Sequence, residues 1–240
     1  HLQLMGDEIN ENDISNLEYF IIPGIDIESS IKARDFSLAY PSKSYWSAGL
    51  HPHEADGLDD VKQELLSLMQ DADLIGETGL DYYRNLSSKE NQIKNFEFHI
   101  NIAEDLNKPL IIHCRDSFSD VFDILSNRNL NNPIILHSWT GGNKWTKKFV
   151  ELGVYFSISG IITYDTAHDL QASVTKIPTD KLLLETDVPY LAPQPFKGKR
   201  NNPTYIKHTG VKLAELLDVT PHDLSEITIA NTNTVLNREV

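Results

Sequence analysis

The sequence predicts an α/β fold, a TIM-type (β/α)8 barrel, in one domain that spans residues 1–240. Short apolar segments alternate with longer segments of helical periodicity, which is typical of repeated βα units around a parallel sheet. The chain has 240 residues, 40% of them hydrophobic, a size at which such barrels form one undivided domain. Polar side chains follow the apolar segments, at the strand ends where barrels of this type carry their functional residues.

Seven apolar segments have the length and flanking residues of buried strands. They lie at 19–23, 45–50, 73–77, 109–113, 133–137, 154–159 and 181–185. Eight segments have helical periodicity, and Pro221 after Thr220 indicates a helix start behind a capping residue. These segments lie at 27–40, 58–70, 89–106, 117–128, 144–152, 166–175, 205–217 and 221–236. An eight-stranded barrel lacks its first strand here, so we expect that strand upstream of His1.

Composition narrows the classes of function. The net charge of −14 disfavours broad electrostatic attraction to nucleic acid, although a local phosphate site remains compatible with it. No apolar run approaches the roughly 18 residues of a membrane span. The single cysteine, Cys114, cannot form an internal disulfide, and its strand context favours a small core group over a nucleophile. We expect a cytoplasmic protein without membrane contact or an obligate protein partner.

Metal-binding and proton-handling side chains follow five of the predicted strands. They are His51 and His53, Glu77 and Asp81, His113, Arg115 and Asp116, His137, and Glu185 and Asp187. One histidine at a strand end is often a hydrogen-bonded structural residue. Five strand ends that carry such groups, beside apolar strand interiors, are not what core packing alone produces. In a barrel these strand ends share one face.

Grouped carboxylates and imidazoles are costly to bury unless they bind a cation. Glu77, His113, His137 and Asp187 therefore predict a metal centre. Nitrogen and oxygen ligands without thiolate suit Zn²⁺, Mn²⁺ or Mg²⁺. Glu77 is the best-placed carboxylate to bridge two ions. Asp187 is expected to ligate one ion and to orient, or accept a proton from, an attacking water.

Other polar residues leave alternatives open. Asp81, Asp116 and Glu185 either hold ligand histidines or form surface salt bridges. Segment 193–203, rich in proline and basic residues, is predicted to be a substrate loop whose Arg200 reaches a phosphate; the alternative is an ordinary solvated connection. The histidines in helical or loop segments are expected to be structural or exposed, namely His99, His168, His208 and His222.

Five motifs resemble those of one known family. They are Gly-Leu-His-Pro-His at 49–53, Gly-Glu-Thr-Gly-Leu-Asp-Tyr at 76–82, His-Cys-Arg-Asp at 113–116, His-Ser-Trp-Thr-Gly at 137–141 and Glu-Thr-Asp-Val-Pro-Tyr-Leu at 185–191. In this order and spacing they resemble the TatD-type metal-dependent deoxyribonucleases, within the amidohydrolase-like TIM-barrel hydrolases. The resemblance spans nearly the whole chain.

The resemblance implies a site with two divalent ions and a DNA substrate, cleaved in the manner of a 3′-5′ exonuclease with a metal-activated water. It assigns Glu77, His113, His137 and Asp187 as metal ligands, with Glu77 and Asp187 also catalytic. It matches His1 to the second member of a His-x-His pair, whose first member would stand two positions earlier. The phosphate contacts that it implies are His51 or His53, Arg115 and Arg200.

Two other functions remain open at this point. A related barrel with the same metals could hydrolyse a small ester, amide or phosphotriester, because the fold does not fix the substrate. A barrel that binds metal without catalysis, as an interaction module, is the third alternative. The polar residues at the strand ends are not replaced by apolar ones. The sequence therefore gives no support to that third alternative.

Overall fold

A computed structural model describes residues 1–6, 9 and 11–238 of the chain. The strands are β1 (Phe20–Pro23), β2 (Ser44–Ala48), β3 (Leu74–Asp81), β4 (Leu110–Arg115), β5 (Ile134–Leu136), β6 (Tyr155–Ile158) and β7 (Leu182–Leu184). The helices are α1 (Glu11–Ile14), α2 (Ile27–Leu38), α3 (Leu58–Asp71), α4 (Lys89–Leu106), α5 (Phe118–Ser126), α6 (Asn143–Glu151), α7 (His168–Val174), α8 (Ile206–Leu217) and α9 (Pro221–Val235). Every predicted strand and helix has its counterpart, and this alternation confirms the predicted α/β class of the TIM type.

The chain divides into two compact units. The first comprises His1, Gln3 and Glu18–Leu136. In it β1 to β5 are neighbours in chain order, and each pair is parallel. The second comprises Leu2, Leu4–Leu17 and His137–Val240, and its strands β6 and β7 are also parallel. Parallel pairing places the carboxyl ends of neighbouring strands at the same edge.

Helix starts follow the local sequence. The hydroxyl of Thr220 accepts from the backbone N–H of Asp223, whose carboxylate in turn accepts from the Thr220 N–H, with Pro221 in the first turn. This reciprocal cap satisfies two N–H groups that the helix leaves unpaired. It confirms the predicted helix start. No helix among the described residues combines the length and the hydropathy of a membrane span.

Strand β3 departs most from the prediction. It was expected to end at Glu77 and instead continues to Asp81, with every residue buried. The reason is Gly79, which adopts φ +132° and lies so close to β4 that a Cβ atom would collide with the His113 carbonyl oxygen. Only glycine allows this approach, so the strand continues past Glu77. Glu77 therefore lies inside the strand and Asp81 at its end.

Candidate metal centre

Three imidazoles surround the carboxylate of Glu77 in the first unit. Glu77 is 2% exposed. Its Oε2 lies 3.3 Å from His1 Nε2, and its Oε1 lies 3.1 Å from His113 Nδ1 and 3.5 Å from His51 Nε2. We call these four residues the Glu77 group. A carboxylate this deeply buried requires positive charge or several hydrogen bonds beside it.

Asp81 holds two histidines next to this group. Its Oδ2 lies 2.9 Å from His113 Nε2 and 3.0 Å from His53 Nε2. Burial alone would raise the pKa of Asp81. Hydrogen bonds from His113, from the Arg84 N–H and from His53 outweigh burial and hold the pKa well below its usual range. Asp81 is fully buried, so it holds a histidine and is not a surface acid.

The tautomers of His1 and His113 bear on whether a cation fits the group. His1 Nδ1 lies 3.0 Å from the Pro23 carbonyl oxygen, which can only accept, so Nδ1 carries the hydrogen and the Nε2 lone pair faces Glu77. His113 has a carboxylate oxygen beside each ring nitrogen, and a neutral ring can donate to only one of them. A proton or a bound cation must therefore lie between Glu77 and the ring nitrogen that has no hydrogen. Two imidazole nitrogens and a carboxylate are donors that suit Zn²⁺ or Mn²⁺.

His51 has a different tautomer. Its Nδ1 accepts from the His53 N–H at 3.2 Å, so the hydrogen of the neutral ring is on Nε2 and points toward Glu77. Burial is the main cause that lowers the pKa of His51 to about 4, and the ring is therefore neutral at pH 7. Although His51, Glu77 and His113 lie close enough to share one ion, a hydrogen-bearing Nε2 is a donor. We interpret His51 as a hydrogen-bond donor beside the ligands.

His99 fixes the backbone in front of His51. Its Nε2 accepts from the Leu50 N–H at 2.9 Å, and its Nδ1 donates to the Asn95 carbonyl at 2.8 Å. The ring is fully buried, and burial lowers its pKa to about 4. His99 is thus a structural histidine, as the sequence predicts.

A second group lies in the second unit and consists of His137, Glu185 and Asp187, which we call the Asp187 group. One ligand atom from each lies within 4.8 Å of the others. His137 Nδ1 lies 2.9 Å from Glu185 Oε1, and the Ser138 N–H donates to Glu185 Oε2 at 3.1 Å. The carboxylate beside Nδ1 favours the hydrogen there, so Nε2 of the neutral ring carries no hydrogen. Glu185 therefore orients the ring of His137, as Asp81 orients the ring of His113.

Backbone strain accompanies the Asp187 group. Ser138 has φ +44° and Asp187 has φ +57°, a left-handed conformation that costs about 1–2 kcal/mol for a residue with a Cβ. Such residues persist where the surrounding structure holds them and concentrate at functional sites. Here the left-handed conformation occurs in two of the motifs that follow strands, at Ser138 and at Asp187.

The predicted phosphate contacts occupy different surroundings. Arg115 ends β4 and is exposed, with its guanidinium 3.9 Å from the centre of the Tyr83 ring. Arg200 is also exposed. His53 Nε2 faces Asp81. Asp116 is exposed, as expected of a surface acid.

Asn201 is a residue of the site that the sequence analysis missed. Its Nδ2 donates to the carbonyl oxygens of Thr186 and Tyr190, both at 2.6 Å. These bonds fasten the predicted substrate loop to the segment that carries Asp187. The buried asparagine next to Arg200 offered only its position in a loop between prolines as a signal.

Comparisons with known proteins agree with this chemistry. The sequence model of a family described as TatD related DNase matches residues 1–237. The uncharacterized metal-dependent hydrolase BU355 of Buchnera aphidicola subsp. Acyrthosiphon pisum is 38% identical over 205 residues, which cover 80% of this chain and 77% of that protein. The uncharacterized metal-dependent hydrolase YabD of Bacillus subtilis is 34% identical over 221 residues, covering 90% and 86%. The crystal structure of YJJV, a TatD homolog from Escherichia coli K12, is similar at a TM-score of 0.89 and 25% identity, covering 98% of this chain and 93% of that one.

Proposed function

Because the chain belongs to the TatD-related DNase family and is a metal-dependent hydrolase, we propose that it is a deoxyribonuclease that hydrolyses DNA phosphodiesters in the manner of a 3′-5′ exonuclease. The observation that carries the proposal is the Glu77 group, a buried carboxylate faced by imidazole nitrogens that need a proton or a cation between them and it. The family match over residues 1–237 supports a single functional domain over residues 1–240. We place it in the cytoplasm, with no membrane or obligate protein partner.

Two divalent ions, Mg²⁺, Mn²⁺ or Zn²⁺, are proposed, one in each group. His1, Glu77 and His113 hold the first, and His137 and Asp187 hold the second. Bound divalent cations lower the pKa of water and neutralise charge that builds on phosphoryl oxygens. The fixed tautomers of His1 and His137 support these assignments, because each leaves Nε2 free of hydrogen.

The chain's own residues supply the remaining roles. The Asp187 carboxylate orients the attacking water and accepts its proton. Of the imidazoles, His51 or His53 contacts a phosphate oxygen, as the family's motif implies. Arg115 and Arg200, both exposed, pair with phosphate oxygens. A chain of net charge −14 requires such local cations to attract a polyanion.

The test is hydrolysis of single-stranded DNA by the purified protein, loaded with Mn²⁺ or stripped by EDTA. We expect EDTA to abolish cleavage and Glu77→Gln to lower it about 10²-fold or more. Glu226→Gln is the matched control, since Glu226 also faces a histidine, His222 at 3.7 Å, but on the exposed surface. This variant should keep its activity within about twofold.

A metal-loaded protein that leaves DNA intact contradicts the proposal. The same preparation is then offered esters, amides and phosphotriesters. Faster hydrolysis of one of these than of any oligonucleotide supports the amidohydrolase-type alternative, which the acidic net charge favours.

A further inference from the structure

We propose that the exposed ring of Tyr83 is a stacking site for an unpaired nucleobase of the substrate; this inference rests on the proposed deoxyribonuclease function. Tyr83 lies just beyond the end of β3 and is 62% exposed. A tyrosine ring offers a large, rigid apolar surface that a planar partner can cover.

The position of Tyr83 is tied to the Glu77 group through one side chain. Asp81 Oδ1 accepts from the N–H groups of Tyr83 at 3.0 Å and Arg84 at 2.8 Å. The other oxygen of the same carboxylate faces His113 and His53. The turn that carries the ring and the imidazoles beside the metal ligands therefore share an anchor. A base stacked on Tyr83 would be held at a fixed place relative to that group.

Arg115 covers one face of the ring. It pairs in register with Asp81 where β3 and β4 end, and its carbonyl oxygen accepts from the Tyr82 N–H at 2.9 Å. Its guanidinium lies 3.9 Å from the ring centre. Among the described residues, no carboxylate forms an ion pair with this guanidinium. The cation is therefore held by the ring and remains available to an anion.

A ring and a free cation side by side match the two parts of a nucleotide. The uncovered face of Tyr83 offers a π surface to a base, and Arg115 offers its donors to the adjoining phosphate. Proteins bind single strands through this combination of aromatic faces and basic groups, largely without regard to sequence. A base inside a duplex has no free face, so the site selects single strands or frayed ends.

The test compares two oligonucleotides in cleavage and in binding. One is an ordinary single strand, and the other carries abasic tetrahydrofuran residues at its three 3′-terminal positions. We expect the unmodified protein to show a KM about tenfold lower for the strand with bases, and Tyr83→Leu to remove that preference. Tyr83→Phe should retain it, because the phenyl face remains. Leu38→Ala, an exposed apolar residue on α2, is the surface control and should change neither KM.

Two further readouts separate the stacking site from other roles. Arg115→Gln should weaken both oligonucleotides by the same factor, since both keep their phosphates. Fluorescence anisotropy of the same oligonucleotides measures binding without cleavage, and the same tenfold preference is expected there. If neither oligonucleotide is cleaved, the deoxyribonuclease function fails, while the anisotropy preference still decides the stacking site. A Tyr83→Leu protein that binds both strands as the unmodified protein does, or loses both equally, overturns the inference.

Discussion

Replacing Asp81 with asparagine removes the charge from the carboxylate that holds two imidazoles. The amide oxygen of asparagine can still accept from the N–H groups of Tyr83 and Arg84. The amide nitrogen, however, would face His113 Nε2, now 2.9 Å from a carboxylate oxygen. Two donors cannot share that space. The His113 hydrogen then moves to Nδ1, and the lone pair that faces Glu77 is lost.

The contacts of Asp81 allow the expected losses of stability and of metal affinity to be estimated. Two hydrogen bonds between imidazole and carboxylate are lost, each worth about 1.5–3 kcal/mol when one partner is charged. Part of this is recovered by the smaller desolvation of a neutral amide, so we expect the free energy of unfolding to fall by about 3 kcal/mol. Loss of a carboxylate that orients a ligand histidine lowers metal affinity about 10- to 100-fold.

Isothermal titration with Mn²⁺ and thermal unfolding in the presence of EDTA measure the two effects separately. The matched control is Asp120→Asn, which alters a carboxylate that pairs with Lys89 and accepts from the Tyr82 hydroxyl instead of an imidazole. Its Mn²⁺ affinity should stay within about twofold of the unmodified protein. If the folded Asp81→Asn protein binds Mn²⁺ as tightly as the unmodified protein, the role assigned to Asp81 is refuted.

Three further predictions concern packing, pH and the cysteine. Gly79→Ala should lower the free energy of unfolding, measured by urea denaturation, by about 3 kcal/mol. The reason is that its Cβ would meet the His113 carbonyl oxygen at a φ that only glycine adopts readily. The control is Gly57→Ala, where a Cβ meets nothing within 4 Å, and it should lower the same free energy by less than about 1 kcal/mol. Burial holds the pKa of His99 at about 4, against 6.5 in the ordinary case, so the unfolded chain takes up its proton first, and stability should fall by about 3 kcal/mol as pH drops from 6.5 to 4. His99→Gln should reduce this pH dependence, and an unchanged slope would argue against the neutral buried ring. Burial raises the pKa of the Cys114 thiol to about 12, so iodoacetamide at pH 8 should label the native protein about 100-fold more slowly than the unfolded one. Because the thiol is not a nucleophile, Cys114→Ala should retain its hydrolytic rate within about twofold.

The sequence contained enough to place the strands and most of the helices. Apolar segments bounded by turn residues mark buried strands, and the Thr220-Pro221 step marks a helix start, because both signals are local. The polar residues after each strand predicted a metal centre for a similar reason, since parallel strands bring their carboxyl ends to one edge.

What the sequence left open depends on contacts between distant segments. The apolar segment in the sequence ends at Glu77, yet pairing with β4 keeps β3 extended through Gly79 to Asp81. Once the strand is extended, the two-residue period puts Glu77 and Asp81 on the same face. Whether Asp81 and Glu185 hold histidines or lie on the surface depends on distances that spacing does not encode. Asn201, which donates to two carbonyl groups of another segment, has no local signal beyond its position in a loop between prolines.

Anomalous diffraction from crystals of the protein grown with Mn²⁺ shows whether the Glu77 group binds a metal ion. We expect a strong anomalous peak ligated by the Glu77 carboxylate, His1 Nε2 and His113 Nδ1, with His51 outside the coordination shell. A peak ligated by His51 Nε2 would overturn the tautomer argument. No peak beside Glu77 at saturating Mn²⁺ would contradict the claim that this buried carboxylate and its imidazoles form a metal site.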